Sequence, residues 1–111
     1  LDEDFKRFST IYEALLNEWE KLADEVPVAK EAYETEYAKQ IKTADGTVAM
    51  KEAEAAIRTS VPRLALLKAE ARLEFIKAKV RWADKELSIL QTRAANERSQ
   101  MQLSSLPNQK W

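Results

Sequence analysis

The chain is predicted to be all-α: an elongated antiparallel helical hairpin or coiled-coil bundle with a long C-terminal helix. Three observations carry that expectation. One glycine and three prolines in 111 residues leave too few turn residues for a sheet protein. Apolar side chains recur in alternating steps of three and four through residues 5–26. From Leu66 onward, apolar residues return every seven positions. The length suits one domain, and 45% apolar with 33% charged residues excludes a disordered tail over most of it. We therefore expect a single helical domain over 1–98, followed by a polar tail over 99–111.

The first helix is expected over about 2–26. Phe5, Phe8, Tyr12, Leu15, Trp19, Leu22 and Val26 fall on one stripe, and Asp2, Glu3 and Asp4 favour the positive end of its dipole. Pro27 removes a backbone donor and disfavours helix at the residue before it, so a boundary is expected there. The second helix, about 28–44, carries Tyr33, Tyr37 and Ile41 along one face. Gly46 suits its C-cap, and Thr47 suits the N-cap of the next helix.

A third helix is expected over 48–98 with a bend near 62, where Thr59 and Ser60 stand just before Pro62 as N-cap residues do. Its seam is Leu66, Leu73, Val80, Leu87, Ala94 and Met101, with Ala69, Ile76, Ala83 and Leu90 three residues after the first four. Beside the seam runs a second apolar line, Val61, Phe75, Trp82 and Ile89, broken by Lys68. Two adjacent lines predict contact with more than one partner helix, and core burial is the default for the aromatics. A straight helix over 48–101 would span about 80 Å. Such a rod buries little surface per residue and favours self-association. Ser104, Ser105, Pro107 and Asn108 mark the tail, with Trp111 at its end as a disordered residue or a docking anchor.

The net charge of −1 hides an asymmetry. Residues 1–46 carry 6 basic and 12 acidic side chains, and residues 47–111 carry 12 and 7. The halves should attract one another, within a chain or between chains. The longest apolar run, Leu64-Ala65-Leu66-Leu67, is far short of the roughly 20 residues a membrane span needs. No signal peptide is visible, Leu1 in place of Met suggests trimming, and cysteine is absent; the expected location is the cytoplasm.

Catalysis is disfavoured. Without His or Cys there is no imidazole base, thiolate or zinc set, and one glycine cannot build a phosphate-cradling loop. Glu70 and Glu74 share a helical face, yet a di-iron bundle would also need Glu-x-x-His. No catalytic residue, metal, cofactor or small-molecule substrate is expected. Nucleic acid is the alternative partner: Lys77, Arg81 and Lys85 form a row near Lys68, Arg72 and Lys79, with Phe75 and Trp82 interleaved. Against it, Glu70, Glu74, Asp84 and Glu86 share those turns, and Arg81–Asp84 and Arg93–Glu97 stand at ion-pair spacing. The aromatic stripe of the first helix is a candidate docking face, with packing on the long arm the favoured reading.

From the Gly46-Thr47 turn through Lys51 and Ala53 to Leu90-Gln91-Thr92-Arg93-Ala94-Ala95-Asn96-Glu97-Arg98, the chain resembles small helical proteins of bacteriophage early recombination and replication genes. The resemblance covers roughly residues 28–98 and carries no active-site motif. It implies an accessory factor that works by contact with DNA-processing machinery. The expected function is a non-enzymatic coiled-coil interaction protein that oligomerises and docks on a protein partner. A helical single-strand nucleic-acid binder is the alternative.

Overall fold

A computed structural model of the chain describes residues 2–105. The fold is all-α, with α1 (Asp2–Thr43), α2 (Val48–Arg58) and α3 (Ser60–Ser105).

Helix α1 runs unbroken through Pro27, where a boundary between helices 2–26 and 28–44 was expected. An interior proline costs a helix about 3 kcal/mol, through the lost donor and the clash with the preceding turn. Here Pro27 lies on the exposed side, and the apolar spacing continues beyond it in phase. Val26, Ala29, Tyr33, Tyr37 and Ile41 are all half-buried, so the packing that holds the first half of α1 holds the second as well. Asp2, Glu3 and Asp4 occupy the first turn and Lys42 the last, each at the end of the dipole that its charge favours.

Gly46 makes the link to α2 with a φ of 108°, a left-handed conformation that side chains other than glycine's rarely tolerate. Thr47 then caps α2, its side chain accepting from the Met50 N–H at 3.3 Å. Between α2 and α3 the interruption falls at Thr59, just ahead of Pro62, near which a bend was expected. The reason lies in which bond a proline removes. Pro62 sits in the first turn of α3, where a missing N–H is tolerated, and the carbonyl it leaves without a donor is that of Arg58. Thr59 is fully buried, and its hydroxyl donates to the Ala55 carbonyl at 2.6 Å.

Helix α3 continues to Ser105, so residues 99–105 are helical where a polar tail was expected. Polar composition alone does not end a helix. Ser99 to Leu103 contain no Gly or Pro, and the first breaker is Pro107. Pro107, Asn108 and the proposed anchor Trp111 lie outside the described residues.

The chain packs as two compact units. The first, the terminal unit, comprises the described residues up to Leu16 and from Ala78 onward; the second, the central unit, is Asn17–Lys77. In the terminal unit α1 and α3 run antiparallel: Phe8 packs on Trp82, while Phe5 lies near Ala94 and Met101. Val80 (3% exposed) and the fully buried Ala83 form its centre, with Phe5, Tyr12, Leu15, Leu87, Leu90 and Ala94 half-buried around them. The absence of a bulky side chain at Ala83 lets the helix backbones approach closely.

The centre of the central unit is Leu22 (2% exposed), Ala44, Ala55, Thr59 and Leu66. Arg58 reaches from α2 to the Gln40 side-chain oxygen on α1 at 3.4 Å, and Gln40 in turn donates to Glu36 at 3.0 Å. Tyr33 and Tyr37 pack one turn apart on α1, with ring centroids separated by 6.0 Å.

Candidate interaction surface

The residues expected on the seam face inward, each in its own unit. Leu66 is buried and Leu73 and Ile76 are half-buried in the central unit; Val80 is buried and Leu87 and Leu90 are half-buried in the terminal unit. Met101, placed at the end of the same seam, is exposed. The stripe from Phe5 to Val26 also faces inward, with every member at least half-buried, so its side chains are engaged in packing within the chain.

The second line departs from expectation. Val61 and Phe75 in the central unit, and Trp82 and Ile89 in the terminal unit, are all exposed rather than core residues. Geometry explains this. A residue two positions after an inward one is turned about 200° around a helix, away from the packed face. Trp82 retains one inward contact, its ring centroid 5.5 Å from that of Phe8.

A further outward series was not singled out in the sequence, although its spacing is there to be read. Met50, Ile57, Leu64, Ala71 and Ala78 recur every seven residues, and all are exposed. Ile57 is 74%, Val61 77% and Leu64 52% exposed. An exposed apolar residue taken singly is unremarkable; a periodic row of them is a candidate contact surface.

The basic residues are dispersed. Arg72, Lys79, Arg81 and Lys85 are exposed, while Lys77 is half-buried and pairs with Glu74 at 3.4 Å. Neither Arg81–Asp84 nor Arg93–Glu97 closes to ion-pair distance. Asp84 instead accepts a hydrogen bond from the Tyr12 hydroxyl at 2.6 Å, joining α3 to α1 within the terminal unit. Two further surface ion pairs, Lys21–Glu25 at 3.9 Å and Arg58–Glu54 at 2.6 Å, each lie within one helix.

The Tyr12–Asp84 bond has a pH signature. Donating to Asp84, close to the carboxylate charge and partly desolvated, holds the Tyr12 phenol above its ordinary value of 10.0. Its folded value therefore exceeds the unfolded one. The stability it contributes is complete below the unfolded value and is lost as pH rises through the folded value. Thermal melts should show a decline in stability above about pH 10 that is smaller in Tyr12→Phe. An identical alkaline decline in both proteins would show that this bond carries none of it.

A cleft of about 780 Å³ opens in the terminal unit between Asp2, Glu3, Asp4 and Phe5 of α1 and Ala94, Glu97, Arg98 and Met101 of α3. Its lining is four carboxylates and one guanidinium around Phe5 and Met101. Among the described residues no group of three or more Asp or Glu side chains is arranged to hold a metal ion, Glu70 and Glu74 included. No helix is long and apolar enough to cross a membrane, again among the described residues. The chain matches no protein-family model, no curated protein and no solved structure.

Proposed function

We propose that this chain is a non-enzymatic helical interaction protein that associates with itself and docks on a protein partner. The observation that supports the reading is the row of large apolar side chains on the outward face of α2 and α3, led by Met50, Ile57, Val61 and Leu64. Exposed apolar surface in a regular row is costly in water and is covered on association. As part of the same proposal, the partner belongs to DNA-recombination or replication machinery and the site of action is the host cytoplasm, a reading that rests on the resemblance of residues 28–98 to small helical phage proteins alone.

Light scattering behind a sizing column, over a hundredfold range of protein concentration, tests the self-association. A dimer or larger species that persists at micromolar dilution is the expected result. A monomer throughout would remove self-association from the reading and leave docking on another protein.

One observation favours a second reading, binding to single-stranded nucleic acid. In the terminal unit Arg81 and Lys85 are exposed one turn apart, with the half-exposed indole of Trp82 between them in sequence. Binding through them would weaken steeply with salt, and Arg81→Ala plus Lys85→Ala would flatten that dependence. No binding to an oligonucleotide at low salt would end this reading.

A further inference from the structure

Within the central unit, the outward face where α2 meets α3 is apolar along its middle and basic at its edges. Helical phase carries across Thr59: its N–H donates to the Ala55 carbonyl and its carbonyl accepts from the Arg63 N–H, both at 3.0 Å. Ile57, Val61, Leu64 and Leu67 therefore lie on one stripe, spaced four, three and three, over about 15 Å. All four are exposed.

The charges beside this stripe are of one sign. Between Glu54 and Glu70 the chain carries Arg58, Arg63 and Lys68 and no carboxylate, and Arg72 follows. Arg58 is paired with Glu54 at 2.6 Å. Arg63, Lys68 and Arg72 are exposed and make no ion pair among the described residues. None of the three has a carboxylate three or four positions away in either direction. Lys68 and Arg72 instead have each other at four, a like-charge spacing that destabilises a helix. Glu70 stands seven residues beyond Arg63 on the same margin, about 10 Å away along the helix. Glu74 is already paired with Lys77.

We propose that this stripe docks an amphipathic helix of another protein, one whose apolar side chains are flanked by carboxylates. The inference rests on the docking half of the reading above and assigns the partner's chemistry. Apolar residues at steps of three and four complement a helix lying nearly alongside. Carboxylates at the margins of that helix supply the counter-charge that Arg63, Lys68 and Arg72 lack within the chain. A second copy of the chain offers no such stripe. In the central unit α1 exposes one large apolar residue, Val28. In the terminal unit Ile11 and Leu16 stand five apart on different faces of α1, and Trp82 and Ile89 have Lys85 between them on α3. Anionic lipid is a poorer match. None of the four apolar anchors is aromatic, and residues 17–77 carry 10 basic and 12 acidic side chains.

The test uses two synthetic helical peptides with leucine at steps of three and four, one flanked by glutamate and the other by lysine. Fluorescence anisotropy of each labelled peptide, titrated with the full chain, should show the glutamate peptide bound at least about tenfold more tightly. Lys68→Glu plus Arg72→Glu should reverse that order. Lys30→Glu, a like charge change on the exposed surface of α1, should leave it as it was. Leu64→Glu should abolish binding of the glutamate peptide and keep its helical content by circular dichroism, since Leu64 lies outside the core. Equal affinity for the two peptides would overturn the acidic partner. Binding of neither would overturn it as well, and phosphatidylserine vesicles bound by the parent but not by Leu64→Glu would give the stripe to lipid. If neither peptide binds and Leu64→Glu dissociates a dimer seen by light scattering, the stripe serves self-association: the inference falls and the reading above stands. A monomer that binds the glutamate peptide would leave the inference standing and remove self-association.

Discussion

Val80→Asp should abolish the sharp thermal unfolding of the terminal unit. Val80 is 3% exposed, so a carboxylate put there would be withdrawn from water. Within the terminal unit the inward residues next to it on α3 are Ala83 and Leu87, and the inward stripe of α1 is Phe5, Phe8, Tyr12 and Leu15. An unpaired buried charge costs on the order of 3–5 kcal/mol, beyond the packing lost with the valine. Domains of this size have a total stability of only about 5–15 kcal/mol. Circular dichroism at 222 nm, followed with temperature, would show a broad, shallow decline in place of a sigmoid. A sharp transition within a few degrees of the parent's would mean that the α1–α3 contact does not close around Val80.

Leu22→Ala should cost about 2–4 kcal/mol, whereas Leu16→Ala, on the same helix, should cost less than about 1 kcal/mol. The chemical change is the same at both positions. Leu22 is 2% exposed at the centre of the central unit, while Leu16 is turned outward and exposed. At Leu22 the deletion leaves a cavity as well as losing transfer free energy; at Leu16 water fills the space. Urea unfolding of the two variants measures the difference. Equal losses would show that burial along α1 is not distributed in the stripe that Phe5 to Val26 describes.

That stripe was legible in the sequence, as was the inward seam from Leu66 to Leu90, because a 3–4 repeat states which residues share a helical face. What the repeat does not state is how far a helix runs. Pro27 suggested a boundary, yet the phase carried on through Ala29 and Tyr33, and that continuity was the signal that packing would outweigh the missing donor. Ser99 to Leu103 looked like a tail because they are polar, although nothing in them breaks a helix. The break near Pro62 was legible too, because Thr59 and Ser60 stand just ahead of the proline as residues that open a helix do.

The exposed surface was harder to read than the core. Periodicity finds apolar lines but does not say which line is covered by the chain's own helices. Phe75 and Trp82 were expected in the core because they lie on the second apolar line; the structure leaves both exposed, while Leu73 and Val80, two residues before each, are the ones turned inward. The Tyr12–Asp84 bond joins residues 72 positions apart, and no local pattern announces such a pairing.

The centre of each unit is small: Val80 and Ala83 in one, Leu22, Ala44, Ala55, Thr59 and Leu66 in the other. Order in α1 and α3 therefore depends more on counting than on the identity of any one side chain. Exchange of one half-buried apolar residue for another leaves every other contact in place. Loss of a single residue within α3 does not, because each residue turns an α-helix by about 100°. Everything downstream would rotate by that angle, carrying Leu87 and Leu90 into water and surface lysines and arginines toward α1. For this chain the frameshift of a helix face, rather than the substitution of a residue, is the lesion that its architecture is least able to absorb.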